Sequence, residues 1–534
     1  MGLHGVLLVC VALVLGGSSH VSAFQSLTRK LAPTHFPTRF AATKSEQISP
    51  TEAEAEAAAI ATDKKDLPNQ SSNTAENAAI LLVYFVQGAL GLAGLARSFF
   101  LKDQLGLDPA ASAAILGTAT LPWTFKPLYG FLSDSVPLFG YRKRSYLILS
   151  GLVGSASWLA MSSLVHDAQT ALLYTLSGSG AIAVADVVID SIVVERTREA
   201  AESILCEEGS SADDEQCEVA LEGKTSAAGD LQSLCWGASA VGSTVSAYFS
   251  GSLLEKYTPE NIFAITAVFP MIIAVASLGV REQRIDQDGI DASNGVNVNL
   301  LDTFKDQAFK LKETITTPNI YLPVLFVFLW RATPSADSAS FYFSVNDLGF
   351  KPEFLGKVNV VASLASLFGV IMYRLKLKEF PVKDLIFWTT LISVPLSLTQ
   401  LLLVTHKNLE IGIPNEFFFL VDNTVLVVLG QIAFMPTLAL AASLCPPGIE
   451  GTLFASLMSI YNAGGLVSQE AGALVTQWFG VTDSEFGNLP QLITFCSLSS
   501  LVTLPFIGVL GDVDGSGNEE YDEGLMENRN PRDS

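Results

Sequence analysis

The sequence predicts an all-α integral membrane protein of twelve transmembrane helices, built as two pseudo-symmetric six-helix halves. Three observations carry this expectation. The 534-residue chain is 49% apolar, only 16% charged, and has a mean hydropathy of +0.40. Soluble domains carry about a quarter charged residues, so the deficit points to lipid as the solvent. Apolar runs of about twenty residues, enough to cross a bilayer core, recur twelve times between charged or proline-bearing turns. A polar stretch, 282–318, divides them six and six.

In chain order the spans are expected at 78–101, 110–132, 145–165, 168–194, 230–254 and 260–281, then 319–345, 353–375, 382–404, 416–443, 449–479 and 489–511. The net charge of −22 comes from acids outside them, in Glu52–Glu56, the 199–222 loop, the central loop and the tail beyond Asp512. Such segments are solvated and have no affinity for nucleic acid. Loops after spans 2, 4, 6 and 8 hold fifteen Lys or Arg, and loops on the opposite face hold five, namely Lys102, Lys256, Lys351, Lys357 and Lys407. The positive-inside rule therefore places both termini and the central loop on the cytosol-like face. Six plus six around a long linker is the layout of the major facilitator superfamily, whose halves rock about a site near the midplane. Faint internal symmetry agrees: Ser233-Leu234 precedes Gly242 as Ser456-Leu457 precedes Gly465.

The domain organisation begins with an address. Residues 1–23 read as a signal peptide, with an apolar run Val6–Leu15 followed by Val21-Ser22-Ala23. Residues 24–45 lack acids but hold Arg29, Lys30, Arg39 and Lys44 among Ser and Thr, as transit peptides do. The pair resembles the two-part plastid address of algae with secondary red plastids, and implies a plastid envelope membrane; a secretory signal with a disordered tail, leading to the plasma membrane or another endomembrane, is the alternative. Residues 46–77 form a disordered lead-in, 78–281 the first half, 282–318 the linker, 319–511 the second half and 512–534 an acidic disordered tail. Of the six cysteines, Cys206 and Cys217 share one loop, and free thiols are expected throughout.

Ionisable side chains at mid-bilayer cost about 3 kcal/mol by insertion scales, so each one needs a reason. Arg97 in span 1 either snorkels to the headgroups or meets a substrate. Lys126 in span 2, one turn from Trp123, suits an anionic ring-bearing solute, or else pairs with Asp134 or an acid of span 4. Asp186 and Asp190 lie four residues apart on one face of span 4, a pair able to hold a proton. Asp186 is assigned to proton coupling. Asp190 is assigned, with Asp134, Arg142, Lys143, Arg144, Glu195 and Arg196, to a gate on the basic face. In span 7, Arg331, Ser335, Ser338 and Tyr342 form a polar stripe interrupted by Pro334, with Asp337 adjoining. Arginine there offers a planar fork for a carboxylate; a structural pair with Asp337 or Asp186 is the other reading. Glu470 in span 11 is a second proton-coupling candidate. No phosphate loop, nucleophile–base pair or metal-site spacing occurs, so neither an enzyme nor a cofactor is expected.

With these residues in view, the chain resembles the folate–biopterin transporter family of the major facilitator superfamily. The likeness rests on PWTFKPLYGFLSDSVPLFGYRKRSYL (122–147), ADVVIDSIVVERTR (185–198), LQSLCWGASAVGS (231–243), FLWRATPSADSASFYFSVNDLGFKPEFLG (328–356) and CPPGIEGTLFASLMSIYNAGG (445–465). It implies a proton-coupled carrier of folates or pterins working by alternating access, with the lipid bilayer and a small-molecule substrate as partners. Trp123, Lys126, Arg331, Ser335, Asp337 and Arg97 are the substrate-binding expectation. A carrier of another organic anion or of a nucleoside-like methyl donor is the rival, and a non-transporting receptor or scaffold is the alternative of another class. Oligomeric state is not legible.

Overall fold

A computed structural model describes residues 70–207, 214–282, 284, 317–443 and 450–510. The expected signal peptide and transit-like segment, most of the lead-in, nearly all of the linker and the tail lie outside the described residues. The chain divides into two units, Met1–Leu82 and Val83–Ser534; the first helix runs across the boundary, and the contacts below all belong to the second unit.

Nearly every described residue is helical. The first pass comprises α1 (Gln70–Ala89), α2 (Leu92–Phe99) and a wide turn over Phe100–Gln104. The second is broken into α3 (Pro109–Thr118), a tight turn over Leu121–Phe125 and α4 (Lys126–Ser135). Then come α5 (Arg144–Ser163), α6 (Ala168–Glu207), α7 (Asp214–Leu254), and a sixth pass of α8 (Pro259–Thr266) and α9 (Val268–Ala276). The seventh is again split, into α10 (Pro318–Arg331) and α11 (Asp337–Asn346). It is followed by α12 (Pro352–Met372), α13 (Val382–Leu398) with α14 (Gln400–Val404), the short α15 (Lys407–Glu410), α16 (Asn415–Ser443), α17 (Glu450–Trp478) and α18 (Leu489–Ser499), which continues as a tight helix to Leu510.

Eight of these passes are long and apolar enough to span a bilayer on their own among the described residues. The second, fifth, seventh and eleventh are the exceptions, and the reason is informative. Prolines interrupt the second and seventh, and small or polar residues dilute the fifth and eleventh. Each of the four packs across the junction of the halves: α17 on α3 and on the turn before α4, α11 on α3, and α7 on α12.

The structure corrects the expected loop at 199–222. Helix α6 runs 40 residues and α7 runs 41, about 60 Å each and twice a bilayer core. The added turns are rich in Ala and Glu, strong helix formers, so acidity did not mean a loop. Cys206 and Cys217 lie in those turns, whose side chains are outside the described residues; Cys235 and Cys496 are free and buried.

Side chains sort as lipid requires. Val275, Leu364, Phe368, Trp388, Val502 and Phe506 all project outward, a pattern that would aggregate in water and is the norm in acyl chains. Inside the first half, Leu90, Phe100, Trp158 and Phe263 form a core, with Phe100 and Phe263 ring centroids 5.3 Å apart. The halves approach backbone to backbone at Gly251 of α7 and Gly356 of α12, where a Cβ on either would overlap the other's main chain. Such contact between membrane helices requires glycine, because packing replaces the hydrophobic drive that lipid cannot supply.

Candidate functional site

Prolines place the site. Pro122 and Pro127 cannot donate to the helix ladder, so the second pass loosens between Thr118 and Lys126, and Trp123 and Lys126 come out at the break. Lys126 Nζ lies 2.6 Å from Asp186 Oδ2 on α6, each side chain 18% exposed, and 4.9 Å from the centre of the Trp123 ring. Trp123 Nε1 donates to Ser179 Oγ at 3.1 Å, and Asn462 of α17 donates to the Trp123 carbonyl at 3.3 Å. The ammonium is thus held between a carboxylate and an aromatic face, both within the first half, while the second half binds the Trp123 backbone.

The seventh pass repeats the device. Pro334 interrupts it between Arg331 and Asp337, freeing main-chain groups that lipid could not satisfy. Helix α17 satisfies them: Ser468 Oγ donates to the Thr333 carbonyl at 2.6 Å, and Ser335 N donates to the Ser468 carbonyl at 3.3 Å. Gly472 fits directly against the Ser335 carbonyl, which leaves no room there for a side chain. Arg331 lies across Gly464 and Gly465, its guanidinium 5.4 Å from the Tyr461 ring centre. It is exposed to the space between helices, and no carboxylate pairs with it among the described residues. The alternative pairings weighed from sequence are accordingly not formed: Asp186 is taken by Lys126, and Asp337 lies near Cys496 of α18. The expected stripe does not continue through the break either. Tyr342 is buried and donates to the Leu107 carbonyl at 2.6 Å while sharing a 2.7 Å bond with Ser112 of α3.

That Ser112–Tyr342 bond crosses between halves, on the face opposite the basic turns. Phe99 and Phe341 meet edge to face there, 5.3 Å apart, beside a cluster of Leu95, Phe350 and Leu355. At that end the two halves are therefore in direct contact. Deeper, Glu470 Oε1 of α17 accepts from Thr118 Oγ1 at 2.8 Å, with Gly117 packed against it. Arg97, one turn from Phe100, has its Nε buried without a hydrogen-bond partner.

The residues assigned to a gate on the basic face mostly tie the first half to itself. Lys143 Nζ bridges Asp134 and Ser191, both at 2.7 Å, joining α4, the turn and α6. Glu282, just past the sixth pass, accepts from the backbone N–H groups of Arg142 at 2.5 Å, Lys143 at 3.0 Å and Arg144 at 2.9 Å. A carboxylate in that nest satisfies orphan donors at the start of α5 and meets the positive end of its dipole. Arg196 donates to the Arg281 carbonyl at 2.7 Å, Arg144 stacks over Tyr141, and Glu195 is exposed. Asp190 departs from its assignment. It accepts from the Tyr84 hydroxyl of the first pass, and no ion pair joins it to Arg142, Lys143 or Arg144 among the described residues.

Sequence reasoning missed Tyr84, Thr118, Tyr461, Ser468 and Glu282. Only Tyr461 had a signal, standing next to Asn462 in a glycine-rich stretch of span 11.

A helical membrane bundle of two six-span halves, with charges gathered at broken helices along their junction, is a secondary transporter of the major facilitator type. The chain belongs to the BT1 family, whose profile matches residues 87–205 and 215–524. It is 46% identical over 432 residues to the folate-biopterin transporter of Synechocystis sp., covering 81% of each chain. It is 30% identical over 447 residues to folate transporter 2 of Plasmodium falciparum, covering 84% of this chain and 89% of that one. Among solved structures, the nucleoside transporter NupG superposes with a TM-score of 0.57 over 82% of this chain and 99% of its own, at 13% identity, a likeness of fold. The protein is a multi-pass membrane transporter and not an enzyme.

Proposed function

We propose that this chain carries folates or pterins across a membrane by alternating access, coupled to protons. The observation that supports this reading is a pair of cations, one on each half, each lying over an aromatic ring: Lys126 over Trp123 and Arg331 over Tyr461. A pteridine joined to an anionic tail presents both a flat ring and carboxylates. Arg331 lacks an acid partner and offers a planar fork to a carboxylate, while Trp123 offers a stacking face. The names of its relatives, a folate-biopterin transporter and a folate transporter, agree with that chemistry.

In this reading the solute's carboxylate engages Arg331 and its ring lies toward Trp123, so the solute contacts both halves at once. Lys126 stays neutralised by Asp186 until a second anionic group competes for it. Glu470, whose hydrogen bond among the described residues comes from the Thr118 hydroxyl, carries the coupling proton, while Asp186 stays paired with Lys126. Separation of Tyr342 from Ser112 and of Phe341 from Phe99 opens the outer end. The basic face is cytosol-like, and the membrane is a plastid envelope, supported by the acid-free stretch that follows Ala23.

Expression without residues 1–45 in a folate-requiring microbe tests the substrate. Uptake of labelled folate or pterin above background supports the reading. Uptake of other organic anions alone would favour the rival carrier, and uptake of none by a membrane-inserted protein would favour a receptor.

A further inference from the structure

The turn between α4 and α5 holds a feature that transport does not use. Phe139 and Gly140 both adopt left-handed backbone angles, φ 55° and 83°, and Leu138 and Tyr141 exchange hydrogen bonds at 2.9 and 3.0 Å across them. This is a tight hairpin turn whose first central position favours Asn, Asp or Gly. A phenylalanine there is strained, and its ring is 86% exposed. An aromatic held at a conformational cost and offered to the surroundings calls for an apolar environment outside the protein.

Charge says which environment. Arg142 is exposed and pairs with no carboxylate among the described residues, and Arg144 lies 5.4 Å over Tyr141. Glu282 holds the backbone N–H groups of both, leaving the guanidinium groups for another acceptor. The turn after the eighth pass, its counterpart in the second half, repeats the composition: Leu375 is 71% and Phe380 55% exposed among the exposed Arg374, Lys376 and Lys378.

We propose that the 136–144 turn, with its counterpart around Leu375, binds an anionic phospholipid of the leaflet on the basic face, Phe139 entering the acyl boundary and Arg142 and Arg144 holding the phosphate. Aromatic and basic residues side by side are what that depth of a membrane selects.

The test uses the full chain purified in detergent and supplied with phosphatidylglycerol or phosphatidylcholine. Lipid retained is counted by native mass spectrometry, and melting is followed in parallel. The wild type should retain phosphatidylglycerol in preference and melt higher in its presence. Arg142→Gln with Arg144→Gln keeps the N–H groups that Glu282 holds and should cut that preference by about fivefold per charge. Phe139→Asn suits the turn better, so it should raise the melting temperature without lipid yet weaken phosphatidylglycerol retention. Glycerophosphoglycerol, the headgroup without acyl chains, should not compete at equal concentration. Equal retention of the two lipids by the wild type, or an unchanged ratio in the arginine variant, would overturn the proposal. Full competition by the bare headgroup would show a phosphate site without a lipid anchor. A lower melting temperature with unchanged lipid retention in Phe139→Asn would show that the ring docks on protein instead.

Discussion

Glu470 on α17 accepts a 2.8 Å hydrogen bond from Thr118 on α3, so an acid and a neutral hydroxyl join the two halves of the molecule. No cation pairs with Glu470 among the described residues. The proposed function gives the coupling proton to this carboxylate. Glu470→Gln keeps the shape and removes the acid. In proteoliposomes, this variant should exchange labelled substrate at near wild-type rate and lose accumulation driven by a proton gradient. Unchanged accumulation would assign coupling to another residue.

Lys126 and Asp186 form the only close ion pair described between α4 and α6. Removing one partner strands the other charge. Lys126→Ala or Asp186→Ala should each destabilise the protein by about 2 kcal/mol, below the value for fully buried pairs because both side chains keep some exposure. The double variant Lys126→Met with Asp186→Leu should regain much of that stability, as melting curves would show, while transport stays lost. Transport by the double variant would make the pair purely structural.

Tyr342 joins the two halves through Ser112 and Leu107. Tyr342→Phe removes both bonds and leaves Ser112, 3% exposed, without its partner, at a cost of about 1–2 kcal/mol. The balance of states should move toward opening by about tenfold. Amides of α3 and α11 should exchange hydrogen correspondingly faster, and unchanged exchange would place the closure elsewhere.

Much of the fold was legible because lipid imposes one rule throughout: apolar runs of spanning length between charged turns. The rule failed at 199–222, where Ala and Glu extend α6 and α7 beyond the membrane. The site was legible as residue types, since Lys126, Asp186, Arg331 and Glu470 are costly in lipid and therefore conspicuous. Their partners were not. Asp190 meeting Tyr84, and Glu282 capping the start of α5, are contacts between helices distant in sequence, and neither periodicity nor charge reveals which helices touch. The polar stripe through Tyr342 failed for a local reason: Pro334 breaks the helix, so helical spacing does not carry across it.

In the proposed function, substrate binding depends most on Arg331. Arg331→Lys keeps the charge but loses the fork and the flat contact with Tyr461, and should raise KM by about tenfold or more. Tyr461→Phe, which keeps the ring, should change KM by less than threefold, on the order of one weak hydrogen bond. Equal effects of the two would indicate that Tyr461 does more than carry the arginine.

In the proposed function this fold moves a folate or pterin through a site containing Arg331. Uptake of labelled folate into proteoliposomes holding the purified protein tests it most directly, with Arg331→Ala measured beside the wild type. The prediction is saturable uptake that unlabelled pterin suppresses and that Arg331→Ala abolishes while still folding. Uptake no greater than in empty liposomes for every pterin tried, or normal uptake by Arg331→Ala, would contradict it.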